Sequence, residues 1–170
     1  MSSELRTPGG VEPVDPDIDL HVPEQQRELL RSQGAILSAI SIGGALGALG
    51  RYGLALAWPT PPHTFPWATF VINVGGCFLI GVLMVLVTEV RVAHPVVRPF
   101  LGVGILGGFT TFSTYANDIR GLLRPDTVGT AFGYMALTLV CALLATLVAL
   151  RVTRAVYQAA RQRNRQEVAA

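Results

Sequence analysis

The chain contains no lysine, only 14% charged residues and two cysteines in 170 positions. A soluble domain of this size carries about 25% charged residues, so an ordinary cytosolic enzyme is excluded, as is any lysine-based chemistry. Cys77 and Cys141 fall in different apolar stretches, with neither a metal-ligand nor a redox spacing. Buried thiols of that kind are common packing residues. His21, His63 and His94 are scattered, with no cysteine or carboxylate cluster around them. Paired carboxylates and Ser–His–Asp arrangements are also missing from the apolar stretches, because those stretches hold no Asp or Glu. Nucleophilic and acid–base catalysis therefore have nothing to work with.

What is present is 51% hydrophobic residues and 18 glycines. The apolar residues gather in four stretches, 35–57, 67–88, 99–117 and 128–150, interrupted only by Arg51. Each is close to the ~20 residues that a helix needs to cross ~30 Å of hydrocarbon. Pro59, Pro61, Pro62 and Pro66 break the chain after the first stretch, Pro95 lies in the connection 89–98, and Pro125 in 120–127. The expected fold class is an all-α membrane protein of four transmembrane helices. Residues 1–33 form an acidic tail expected to be disordered, 34–152 the membrane domain, and 153–170 a basic C-terminal tail.

Charge is divided by position. Residues 1–33 hold seven acids and three arginines, net −4, whereas 151–170 hold five arginines and one glutamate, net +4. An even number of spans puts both termini and the 89–98 connection on one side, together with ten arginines. Arg120, Arg124 and Arg51 remain for the other side. The positive-inside rule then sets both termini in the cytoplasm of a plasma-membrane protein.

Gly102, Gly104 and Gly107 fit a G-x-G-x-x-G pattern, but that fingerprint needs a preceding strand and a βαβ unit, and here it lies in an apolar span. Neither nucleotide nor nucleic acid is implied. Gly43, Gly44, Gly47, Ala48 and Gly50 form a small-residue face that lets helix backbones approach closely. Arg51, at the end of that face, must snorkel, pair or line a watery vestibule. Asn73 either hydrogen-bonds a neighbouring helix or offers its NH₂ to an anion.

The third stretch is the most informative. Gly107 and Gly108 precede Thr110, Thr111, Ser113 and Thr114, with Phe109, Phe112 and Tyr115 between them. A glycine pair weakens a helix at membrane depth, and nearby hydroxyls can satisfy the freed backbone groups. A broken span exposes carbonyls able to hold a cation. Phe112 and Tyr115 share a helix face, so a permeation path is the expected use.

Three blocks resemble the small fluoride-channel family (Fluc, also called CrcB). Gly43-Gly44-Ala45-Leu46-Gly47-Ala48-Leu49-Gly50-Arg51-Tyr52 is similar to its GGxxGAxxRY. Asn73-Val74-Gly75-Gly76-Cys77-Phe78-Leu79-Ile80-Gly81 is similar to its NxxGxFxxG. Gly107 to Tyr115 is similar to its GGxTTFSTF, with Tyr115 in place of a phenylalanine. The resemblance implies a passive fluoride channel, an antiparallel dual-topology dimer with two pores and a central structural sodium ion. The third helix would be broken at Gly107–Thr110, and the carbonyls of Gly107 and Thr110 would hold the sodium. Phe112 and Tyr115 would present ring edges to fluoride, Asn73 an amide, Ser113 and Thr114 hydroxyls, and Arg51 a vestibule charge. The arginine bias disfavours insertion in both directions, so the partner is either a second copy or an oppositely oriented paralogue. A non-conducting partner subunit is the alternative. A small multidrug antiporter needs a membrane carboxylate, and only Asp118, at the end of the third stretch, could serve.

Overall fold

The computed structural model describes residues 23–89 and 96–169. Most of the acidic tail and the centre of the 89–98 connection lie outside the described residues. The described residues from Ala35 onward form one compact unit.

Every element among the described residues is helical. Helix α1 runs Pro23–Ala57 and α2 Trp67–Glu89. A π-helix follows at Pro99–Leu106, then a single α-turn, α3, at Gly107–Phe109. Helix α4 is Phe112–Leu122 and α5 is Val128–Ala169. Three helical stretches, Gln33–Ala57, Trp67–Glu89 and Val128–Arg163, are long and apolar enough to cross a membrane. The apolar stretch 99–117 is instead divided between the π-helix with α3 and the start of α4.

Two boundaries extend past the apolar runs. Helix α1 starts at Pro23, where a proline loses nothing by lacking an N–H, and the segment after it is rich in Glu, Gln and Leu, which favour helix. Helix α5 continues through the basic C-terminal residues. Its 42 residues span about 63 Å at ~1.5 Å per residue, roughly twice the ~30 Å hydrocarbon thickness. The continuation is tied to α2: Arg154 Nε donates to Glu89 Oε1 at 2.6 Å, and the Tyr157 hydroxyl donates to the Glu89 carbonyl at 3.0 Å.

Helices α2 and α5 pack together along most of α2. Gly81 is the close point, where a Cβ would stand 2.7 Å from both the Thr146 carbonyl oxygen and the Ala149 Cβ. Thr146 Oγ1 crosses the same seam to the Cys77 carbonyl at 3.1 Å. Ala149 and Val85 are fully buried along these two helices. At the other end, Tyr134 and Ala131 are buried with Leu122, and Phe65, Phe70, Tyr115 and Ile119 close around them. The large apolar residues left exposed, such as Leu46, Leu139, Leu143 and Val148, lie in the segments composed to face lipid.

Candidate functional site: an interrupted helix between α1, α2 and α5

The helix interruption is made by packing and by borrowed donors. Gly107 has helical torsions, φ −65° and ψ −37°, and Gly107–Phe109 is α-helical. The backbone leaves the helix at Thr110 (φ −75°, ψ 155°) and Thr111 (φ −147°, ψ 123°), at the far edge of the expected 107–110 segment and one residue beyond. The glycines have another duty. A Cβ on Gly108 would meet the backbone of Gly44, with its Cα at 3.0 Å, and one on Gly47 would sit 2.8 Å from the Phe109 nitrogen. Gly43 and Gly104 meet in the same way, 3.0–3.1 Å from each other's Cα. Of the G-x-G-x-x-G pattern, Gly104 thus makes a backbone-to-backbone contact with α1, whereas Gly102 faces the Leu83 side chain on α2.

In an unbroken helix the carbonyls of Gly107, Gly108 and Thr110 would accept from the N–H groups of residues 111, 112 and 114. Two of those donors are diverted. Thr111 N–H donates to Asn73 Oδ1 at 2.9 Å, and Asn73 Nδ2 donates back to the Thr111 carbonyl at 2.9 Å. Asn73 therefore pairs with Thr111 as a neighbouring strand would. Thr114 N–H donates to Thr111 Oγ1 at 3.1 Å, a hydroxyl N-cap that starts α4. The carbonyls of Gly107 and Thr110 are left without their helical donors. The carbonyl of Gly108 accepts from Arg51 Nε at 3.1 Å. Thr110 bonds backwards, through both N–H and Oγ1, to the Leu106 carbonyl at 3.0 and 2.9 Å.

Hydroxyls continue from the break. Thr111 Oγ1 lies 3.0 Å from Thr114 Oγ1 and 3.3 Å from Ser113 Oγ. The rings of Phe112 and Tyr115 are 5.9 Å apart at 48°, and Tyr115 is 5.2 Å from Tyr134. Phe112 is 80% exposed, an unusual state for a phenylalanine that is not lipid-packed or covered by a partner. The Tyr115 hydroxyl donates to the Met135 carbonyl on α5 at 3.0 Å, which commits its proton and holds the ring.

A cavity of about 300 Å³ joins these groups, lined by Asn73, Thr110, Thr111, Phe112, Tyr115 and Thr138 together with apolar residues of α2 and α5. No carboxylate lines it. The predicted site residues Arg51, Asn73, Gly107, Thr110, Phe112, Ser113, Thr114 and Tyr115 thus lie around one interruption. Two groups escaped sequence reading. Thr138 Oγ1 is buried without a hydrogen-bond partner at this cavity. Tyr134 Oη contacts Asp118 Oδ2 at 3.5 Å, and Thr69 also hydrogen-bonds Asp118. Tyr134 and Thr138 are four apart on α5, the one available signal, but a helical pair of that kind is ordinary without a neighbour to give it meaning. No group of three or more His, Cys, Asp or Glu side chains suited to a metal occurs among the described residues; any cation at the break would rest on carbonyl oxygen.

Long apolar helices packed around an interrupted, hydroxyl-rich stretch define an integral membrane protein. The profile described as "CrcB-like protein, Camphor Resistance (CrcB)" matches residues 38–150. Fluoride-specific ion channel FluC 2 of Nocardia farcinica is 58% identical over 128 residues, covering 75% of this chain and 91% of that protein. Fluoride-specific ion channel FluC 1 of Streptomyces coelicolor is 45% identical over 149 residues, 88% of this chain and 91% of its own. FluC 2 of Streptomyces avermitilis is 47% identical over 125 residues, 74% and 79%. The chain belongs to the CrcB family.

Proposed function

We propose that the protein is a fluoride channel that lets cytoplasmic fluoride leave passively across the plasma membrane. Membership of the family carries this reading, and the interrupted helix supplies its chemistry. Fluoride is small and tightly hydrated, so a pore must replace its water with several donors. Asn73 has a second amide hydrogen beyond the one given to Thr111. Ser113 and Thr114 offer hydroxyls. Phe112 and Tyr115 offer ring edges, the positive part of the aromatic quadrupole. The lack of a carboxylate in the cavity spares an anion any repulsion there.

The split stretch 99–117 acts as a fourth span in this reading, with both termini cytoplasmic. The functional unit is an antiparallel dimer, formed with a second copy or with an oppositely oriented paralogue, and the bias of ten arginines to one side favours the paralogue. The 80% exposure of Phe112 supports a covering partner. A structural sodium ion at the dimer centre fits the donors. The Gly107 and Thr110 carbonyls have lost their helical partners, carbonyl oxygen suits a hard cation, and two oxygens from one chain leave the remainder for the other chain. When bound, the ion supplies fixed positive charge beside the path.

The test is fluoride efflux from liposomes holding the full chain, alone or with its paralogue, measured by a fluoride electrode after an ionophore releases potassium. Fast fluoride efflux without chloride efflux is expected. No efflux from either preparation would leave the chain a non-conducting family member.

A further inference from the structure

Arg51 is the only charge inside an apolar stretch, and its evident use is to attract an anion. Its hydrogen bonding points elsewhere. Gly43, Gly47 and Arg51 follow one another at four-residue intervals and so share one face of α1. The two glycines bring that face against the backbone of the π-helix and α3. At the end of the face, Arg51 reaches the broken helix through Nε, the innermost nitrogen of its guanidinium, which donates to the Gly108 carbonyl at 3.1 Å. That carbonyl would accept from the Phe112 N–H in a continuous helix. Arg51 is half-buried and in no ion pair among the described residues.

Resting on the fluoride-channel reading, we infer that Arg51 is a positioning residue: its Nε–H replaces the missing helical donor at Gly108 and fixes the geometry of the break, and conduction depends on that donor more than on the positive charge. A carbonyl oxygen left bare on the turn before Phe112 would turn its negative end toward the path. It would also be free to draw the Phe112 N–H back into a helical bond, closing the interruption on which the Phe112–Tyr115 pair depends.

Donor and charge can be separated by substitution. In arginine, Nε stands four bonds from Cα. In glutamine, Nε2 stands at the same four bonds with no charge. In lysine, Nζ keeps the charge but stands five bonds out. Arg51→Gln thus retains the donor, and Arg51→Lys retains the charge. The full-length variants are reconstituted at less than one channel per liposome, with the paralogue if wild type requires it. The fraction of vesicles that empty then counts folded channels, and the rate of emptying measures conduction per channel. A purely structural defect lowers the fraction and leaves the rate. The expected result is a per-channel fluoride rate within threefold of wild type for Arg51→Gln and at least tenfold slower for Arg51→Lys. The reverse order, with Lys near wild type and Gln slow, would overturn the inference in favour of electrostatic attraction. Equal, unimpaired rates in both would overturn it as well. Absence of flux from wild type would strike the channel reading itself and not the role of Arg51.

Discussion

Replacing Asn73 with leucine, a side chain of similar size and no polarity, removes both hydrogen bonds to the Thr111 backbone. The Thr111 N–H and C=O would each lose a 2.9 Å partner, in a site partly closed to water. Leaving one such group unpaired costs about 1–3 kcal/mol, so the pair amounts to about 2–6 kcal/mol. At ~1.4 kcal/mol per tenfold, even the lower bound shifts the folded-to-unfolded ratio by more than an order of magnitude. The measurement is reversible unfolding of the full chain in dodecyl maltoside titrated with SDS, followed by far-ultraviolet circular dichroism. Asn73→Asp supplies an internal control. Its carboxylate can accept from the Thr111 N–H, but only the protonated acid can donate to the Thr111 carbonyl. At neutral pH Asn73→Asp therefore restores at most the Thr111 N–H bond, and it should not recover wild-type stability. An Asn73→Leu protein as stable as wild type within ~0.5 kcal/mol would refute the pairing and leave Asn73 as a fluoride donor alone.

Three further outcomes follow from the same geometry. Gly47→Ala directs a Cβ against the Ile105 carbonyl and the Phe109 nitrogen; because both are backbone, relief requires separating the helices, and loss of folded protein in size-exclusion chromatography is expected. Tyr115→Phe removes the bond to the Met135 carbonyl and should lower stability by about 1 kcal/mol, while fluoride efflux stays within a few-fold of wild type because the hydroxyl proton is already committed. Phe112→Ile should abolish fluoride efflux and leave the far-ultraviolet circular dichroism of the chain unchanged, since the ring is 80% exposed and supports little within the chain; undiminished efflux would remove Phe112 from the path.

The interruption of the third stretch was legible as an event and less so in its position. Gly107 and Gly108 read as helix breakers because glycine weakens helices in isolation. Both are helical, and at Gly108 the reason for glycine is the close approach of Gly44 on α1, which leaves no room for a side chain. The break falls on Thr110 and Thr111, where Thr111 pairs with Asn73, 38 residues away in sequence, and the nearby Gly108 carbonyl accepts from Arg51, 57 residues away. Local composition carries no record of such partners. Tyr115 raises the same problem: as a letter, its hydroxyl could donate to an ion or obstruct it, and only the nearby Met135 carbonyl decides between them.

Scarcity of charge, four apolar stretches, the arginine asymmetry and the glycine faces belong to the sequence by itself, because hydrocarbon and the positive-inside bias act on composition and order alone. They determined an all-helical membrane protein with an unusual third apolar stretch. Which carbonyls that stretch frees depended on the tertiary structure. A backbone group is freed or satisfied by whatever lies within ~3 Å of it, and at this break those neighbours come from other helices.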